Sequence, residues 1–202
     1  MQSFISSYCI IKDRCVFQNG EILFEGGTAD FLEEHLIKIY EKLGVGYPKF
    51  YKMDNLSKLG LLASEIVLKD RILKAEYEPA VVAVILANAS SSLDTDIKYL
   101  ESTRQMASPG LFVYTLPNIV MGEICIRHGI KGENGFFIFD KFDPEFLSTY
   151  VNLVMKQGTE ACLAGWIEVS GEQHNVFLYL TENRERGLGL PHTTEQLIKL
   201  YQ

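Results

Sequence analysis

The stretch VVAVILANA, Val81 to Ala89, constrains this chain more than any other: it is apolar almost throughout, with Pro79 on one side and Ser90-Ser91-Ser92 on the other. A strand that alternates polar and apolar residues can leave one face in water. A run without alternation must be covered on both faces, which a sheet between two helical layers provides, commonly with parallel neighbours. The chain has 202 residues, of which 47% are hydrophobic, enough for one substantial core and short for two. One globular domain over residues 1–202 is therefore expected.

The surrounding pattern agrees with a helix-covered sheet. SYCIIKDRCVFQNGEILFEG alternates β-rich runs with turn signals at Asp13 and Asn19-Gly20, as hairpins do. From Thr28, a candidate N-cap, the spacing places Phe31, Leu32, Leu36, Ile39, Tyr40 and Leu43 on one helical face that ends at Gly44. NLSKLGLLASEIVLKD reads as a second helix, and SSSLDTDIKYLES as another, with Ser91 and Asp94 fitting a capping box. LPNIVMGEICIRHG reads as a buried helix stopped by Gly129. GFFIF is a strand, followed by the helix DPEFLSTYVNLVMKQG and the strands ACLAGWIEV and NVFLYLTE. PHTTEQLIKLYQ closes the chain as a short helix capped by Thr193 or Thr194 with Gln196. Strands alternating with helical crossovers predict a mixed, largely parallel sheet.

Composition excludes several functions. A formal net charge of −7 argues against a general nucleic-acid binder, which needs clustered Lys and Arg. MQSFISSYCIIKDR lacks a basic segment followed by a long apolar one, and no segment approaches the ~20 apolar residues of a membrane span. A cytoplasmic protein without a membrane anchor is expected. Cys9, Cys15, Cys125 and Cys162 form no C-x-x-C pair and read as reduced, packed thiols, and His35, His128, His174 and His192 have no ligand-like spacing. No metal or cofactor is expected. The serines at 90–92 sit in no G-x-S-x-G elbow and read as caps. Gly187 and Gly189 read as turn formers, outside any phosphate-binding context.

Three blocks in order carry a resemblance. FYKMDNLSKLGLLASE and VVAVILANASSSLDTD precede SPGLFVYTLPNIVMGEICIRHGIKGENGFFIF, which holds Ser108-Pro109, Phe112, Thr115, Pro117-Asn118, Gly122, Gly129, Lys131-Gly132 and Asn134. QGTEACLAGWIEV adds Gly158 and Ala164-Gly165. From about Lys49 to Val169 the chain resembles the N-terminal half of a β-ketoacyl-acyl carrier protein synthase, of the thiolase-like superfamily. The resemblance implies an α/β fold: a thiolase-like half, with a mixed, largely parallel five-stranded sheet covered by helices. Such synthases have an Ala-Gly-Gly turn where this chain has Ala164-Gly165-Trp166.

In that family the strand after the Asn134-like position leads to a catalytic cysteine at a helix N-terminus, where the helix dipole and local amides favour a thiolate and an oxyanion. Counting along the block places Lys141 there, and no Cys or Ser lies between Asn134 and Leu147. Asp140 and Asp143 favour the ammonium form of a lysine, so Lys141 is a poor nucleophile. FDPEF reads as a helix start, with Asp143 as N-cap, Pro144 at the first position and Glu145 in the first turn.

The second half of such a synthase, with its paired histidines, has no counterpart after Val169. The resemblance thus implies a degenerate, chain-length-factor-like protein in fatty-acid or polyketide-type biosynthesis, inactive as an acyltransferase alone. It also implies a homodimer, or a heterodimer with a full-length ketosynthase. Two alternatives remain open. One is a module that binds an acyl chain or acyl carrier protein, with Lys49, Lys52 and Lys58 in YPKFYKMDNLSK as the basic docking patch. The other is an acyltransferase with an unidentified nucleophile.

Overall fold

The computed structural model describes residues 2–27 and 31–202. In chain order the strands are β1 Phe4–Lys12, β2 Cys15–Gln18, β3 Glu21–Glu25, β4 Val82–Asn88, β5 Asn134–Ile138, β6 Ala161–Ser170, β7 Gln173–Glu182 and β8 Leu190–Pro191. The helices are α1 Leu32–Leu43, α2 Asn55–Val67, α3 Leu73–Glu76, α4 Leu93–Ser102, α5 Pro109–Val113, α6 Ile119–His128, α7 Pro144–Lys156 and α8 Thr194–Tyr201. No helix among the described residues is long and apolar enough to cross a membrane.

All seven residues of β4 are buried, and their alternation builds two cores. Val82, Val84 and Leu86 join Leu59, Leu62, Ile66 and Ile124 beneath α2 and α6, with Leu36 and Ile39 of α1 in the same cluster. Ala83, Ile85 and Ala87 point the other way, into a cluster with Leu147 and Val151 of α7 and Leu197 of α8. Each large apolar side chain sealed in this way contributes about 1.5–3 kcal/mol.

Five strands form the centre of the sheet, in the order β5-β4-β6-β7-β1. β4 pairs in parallel with β5 and β6, while β7 pairs antiparallel with β6 and β1, so four strands share a direction and β7 opposes them. The full sheet has eight strands, three more than the sequence resemblance predicts. The excess has a local cause. Two turns in left-handed backbone, Asp13-Arg14 (φ 52° and 60°) and Asn19-Gly20 (φ 53° and 88°), fold β2 and β3 back onto the edge of the same sheet. The third, β8, is a two-residue pairing with Phe4 and Ile5, too short to leave a periodic signal.

Helix ends follow the sequence in most places. Gly44 and Gly129 close α1 and α6 in the left-handed conformation, at φ 64° and 72°. Asp54 caps α2 by accepting from the Ser57 amide at 2.9 Å, and Thr193 caps α8 through the Gln196 amide at 3.2 Å. Thr28, the expected cap of α1, lies outside the described residues. The Ser91–Asp94 capping box does not form. Ser91 is instead drawn into a left-handed turn, φ 52°, in which its amide donates to Asn88 Oδ1 and its carbonyl accepts from Asn88 Nδ2.

Buried polar groups tie the layers together. Glu182, with no exposed surface at the end of β7, accepts from both terminal nitrogens of Arg71 at 2.9 Å and from the Tyr77 hydroxyl. Burial raises its pKa, but the hydrogen bonds from Arg71, Ser6 and Tyr77 outweigh that and hold it below the usual carboxylate range. His192 donates from Nδ1 to Asn152 Oδ1 at 3.1 Å and accepts at Nε2 from the Tyr179 hydroxyl at 3.0 Å, linking α7 and β7 to the approach of α8. His128 contacts Ser64 Oγ at 2.8 Å between α6 and α2.

Burial depresses both His128 and His192 to a pKa of about 4, from the ordinary 6.5. The unfolded chain therefore binds more protons below pH 6.5, and stability is lost as the pH falls through that range toward 4. At pH 5 each ring accounts for a loss of about 2 kcal/mol. The urea midpoint is expected to fall between pH 7 and pH 5, and the fall to shrink in His128→Gln. An unchanged midpoint in the parent would contradict the buried, neutral rings.

Candidate functional site

The segment between β5 and α7 is the place where sequence alone points to chemistry. Gly132, upstream of it, shows how its backbone is set: a Cβ there would lie 2.3 Å from the Val82 carbonyl oxygen, which the Gly132 amide meets at 3.1 Å. Only glycine permits that approach, and it places β5 in register beside β4. β5 then runs to Ile138, and the Phe139 amide donates to the Asn88 carbonyl at 3.0 Å.

At the junction Asp140 and Lys141 are exposed. Asp143 takes the N-cap, its Oδ1 accepting from the Phe146 amide at 2.8 Å, with Pro144 in the first turn. A helix N-terminus can stabilise an external anion because its amides are unpaired and its dipole is positive there. Here a resident carboxylate takes that role. Phe142, adjacent to Lys141, turns inward. Its ring stacks on Tyr201 of α8 at 4.1 Å between centroids and meets the edges of Phe177 at 5.7 Å and Trp166 at 6.3 Å. Trp166 is the residue that departs from the Ala-Gly-Gly pattern, and its ring packs against Phe142, the neighbour of Lys141.

Ala164, Gly165 and Trp166 do not form a turn in this chain; they lie within β6. Gly165 is required there for another reason: a Cβ would sit 2.0 Å from the Phe177 carbonyl oxygen of the paired strand. The helix α8 completes the cover, with Thr194 Oγ1 2.6 Å from Ser148 Oγ of α7. A shallow cavity of about 430 Å³ remains outside, lined by residues 139–145 with Thr194 and Ile198.

The other candidates are placed as follows. The Lys58 side chain is 4% exposed and pairs with Glu33 at 3.0 Å, so the helix entry buries it. Lys49 pairs at 2.7 Å with the buried Glu123, which also accepts from the Tyr114 hydroxyl. Lys52 is exposed, next to the exposed Tyr51. The basic segment thus keeps Lys49 and Lys52 exposed, Lys49 with its charge answered by Glu123, while the Lys58 side chain is buried. Cys9 and Cys162 are buried, and burial pushes both thiols well up, as it does Cys125 to a smaller degree. A low-pKa nucleophile is not among these three.

Ser64, Glu65 and His128 form a grouping that the sequence conceals, since helix faces bring 64 and 128 together. It does not have hydrolase geometry. Ser64 is sealed, its hydroxyl donates to the Leu61 carbonyl at 2.7 Å, and Glu65 approaches the same imidazole nitrogen as Ser64, at 3.9 Å.

No family model matches the sequence, and no curated protein matches it. Solved structures do. The chain is similar to the ishigamide ketosynthase/chain length factor, with a TM-score of 0.66 at 18% identity over 92% of this chain and 64% of that one. The fold is ketosynthase-like. A ketosynthase (ApeO) in complex with its chain length factor (ApeC), from Xenorhabdus doucetiae, gives a TM-score of 0.58 at 12% identity, covering 91% of this chain and 80% of that chain. A β-ketoacyl synthase from Burkholderia phymatum gives 0.55 at 11% identity, covering all of this chain (100%) and 61% of that one. The chain therefore spans less than two thirds of the first of these structures, 64%.

The ketosynthase-like frame gives the junction a sharp expectation. Phe142→Ala removes a buried ring from the centre of an aromatic cluster and is expected to cost about 3–5 kcal/mol, whereas Lys141→Ala changes stability by less than ~0.5 kcal/mol. Chemical denaturation of the two variants checks this. Equal costs would mean that Lys141 is held in a structured site.

Proposed function

We propose that this chain is a non-catalytic, chain-length-factor-like partner of a full-length ketosynthase, in fatty-acid or polyketide-type biosynthesis. The observation that carries the reading is the junction after β5. The fold is ketosynthase-like, and the position that counting along the sequence aligns with the nucleophile is Lys141, exposed ahead of a helix start occupied by Asp143 and sealed behind Phe142. We further infer that residues 1–202 act as one cytoplasmic domain.

A partner is supported by the surface. Leu93, Ile97 and Leu100 recur along α4 at helical spacing and are 51%, 51% and 66% exposed. Phe112 and Leu116, beside them in sequence order after the α4–α5 loop, are also exposed, and Tyr99 and Phe112 bring the two helices together at 5.4 Å. Contiguous exposed apolar surface of this kind marks an interaction site more often than a free surface. Acyl carrier protein docking at Lys49, Lys52 and Lys58 is the second reading, and the exposed Lys49, Lys52 and Tyr51 support it more than the buried Lys58 does.

Co-expression with a ketosynthase and size-exclusion chromatography with light scattering tests the partner reading. A defined homodimer or heterodimer is expected. Leu100→Asp combined with Phe112→Asp is expected to weaken association by about 100-fold or more while leaving the circular dichroism unchanged. A clean monomer under all conditions would overturn the reading.

A further inference from the structure

The outer face of α7 is a surface of its own, and it shares no residue with the α4–α5 patch. The helix buries Leu147, Ser148, Val151, Val154 and Met155 toward the sheet and α8. Its exposed residues are Glu145, Thr149, Leu153 and Lys156. At 3.6 residues per turn these positions fall within an arc of about 80°, so they form one stripe along the axis. Glu145 begins the stripe and Lys156 ends it, about 16 Å further on. Neither side chain is in an ion pair among the described residues. Between them lie the short Thr149 and Leu153, which is 48% exposed.

The rims of the stripe add apolar surface. On one side Phe146 and Tyr150 of α7 stack at 5.5 Å and meet Phe137 of β5 at 4.7 and 5.0 Å, and all three rings are only partly buried. β5 ends the sheet on that side. On the other side Ile198 of α8, 44% exposed, lines the same shallow cavity as Glu145.

The charges decide what fits this face. A polyanion would meet Glu145, a basic partner would meet Lys156, and an apolar surface would leave both charges unanswered. A copy of the same stripe running parallel would set Glu145 against Glu145. Running antiparallel, it answers both charges at once: about a two-fold axis through the middle of α7, Glu145 of each copy lies opposite Lys156 of the other. The two helix dipoles then also oppose one another favourably. Thr149, near the crossing point, is small enough for the backbones to approach, and Leu153 of each copy packs beside Thr149 of the other.

We propose that the outer face of α7 is a self-association surface, on which a second copy of this chain docks antiparallel with two symmetric Glu145–Lys156 ion pairs. The Leu100 and Phe112 patch takes no part in this contact, so the proposal does not rest on the ketosynthase partner.

Sedimentation velocity of the full chain, loaded from about 5 to 300 μM, tests the surface in the parent and in the Leu100→Asp/Phe112→Asp chain. Self-association with a Kd of about 100 μM or tighter is expected in both. Glu145→Lys and Lys156→Glu each create two like-charge pairs and are each expected to weaken the parent dimer by about 10-fold or more. An equimolar mixture of these two variants is expected to recover the parent affinity, because every pair across the interface is again opposite in sign. Thr149→Arg, which blocks the crossing and leaves both charges in place, is expected to weaken the dimer by about 10-fold or more and gives the same test should a reversal unfold the chain. The proposal is overturned if the parent stays monomeric over this range, if the Leu100→Asp/Phe112→Asp chain no longer self-associates, if the substituted chains dimerise as the parent does, or if the mixture does not recover. Loss of self-association with ketosynthase binding intact overturns this surface alone.

Discussion

Everything in this molecule is arranged around a strand that cannot face water. β4 exposes no residue on either side, so its two faces must be covered separately. The helices α1, α2 and α6 cover one, and α7 with α8 covers the other. Its flanks are filled by β5 and β6 in parallel register, which satisfies its backbone groups without a hairpin. Once those neighbours are set, the crossover that returns the chain from β5 to β6 has to be α7. The start of α7 is then forced to the sheet end where β5 finishes.

What this chain does with that position is a matter of a few side chains. A vacant helix N-terminus is a resource for binding an anion, and Asp143 uses it internally, which is worth about 1 kcal/mol to the helix. Phe142 turns inward against Tyr201, Phe177 and Trp166, so the space behind the junction becomes core. The C-terminal helix α8 is part of that closure, through Leu197, Tyr201 and the Ser148–Thr194 contact. The junction is held by its capped helix start and its buried ring.

Much of this was legible in sequence because it rests on local signals. The apolar run of β4, the glycine stops at 44 and 129, the Asp143-Pro144-Glu145 helix start and the hairpin turns at 13–14 and 19–20 each follow from residues adjacent to one another. What was not legible depends on partners far away in the chain. Lys58 is charged and sits in a segment that reads as an exposed helix entry, yet Glu33 and the Phe50 ring, 5.8 Å away, draw it inside. Ser91 has the right spacing for a capping box, but Asn88 competes for its backbone and wins.

The likeness to ketosynthases concerns the fold, and the functional reading turns on whether the junction can carry an acyl group. Intact-mass spectrometry of the full chain after incubation with acyl-coenzyme A and with acylated carrier protein asks this directly. An unmodified mass of 22.9 kDa is expected. A stable mass increase equal to the acyl group, mapping to residues 139–145, would contradict it.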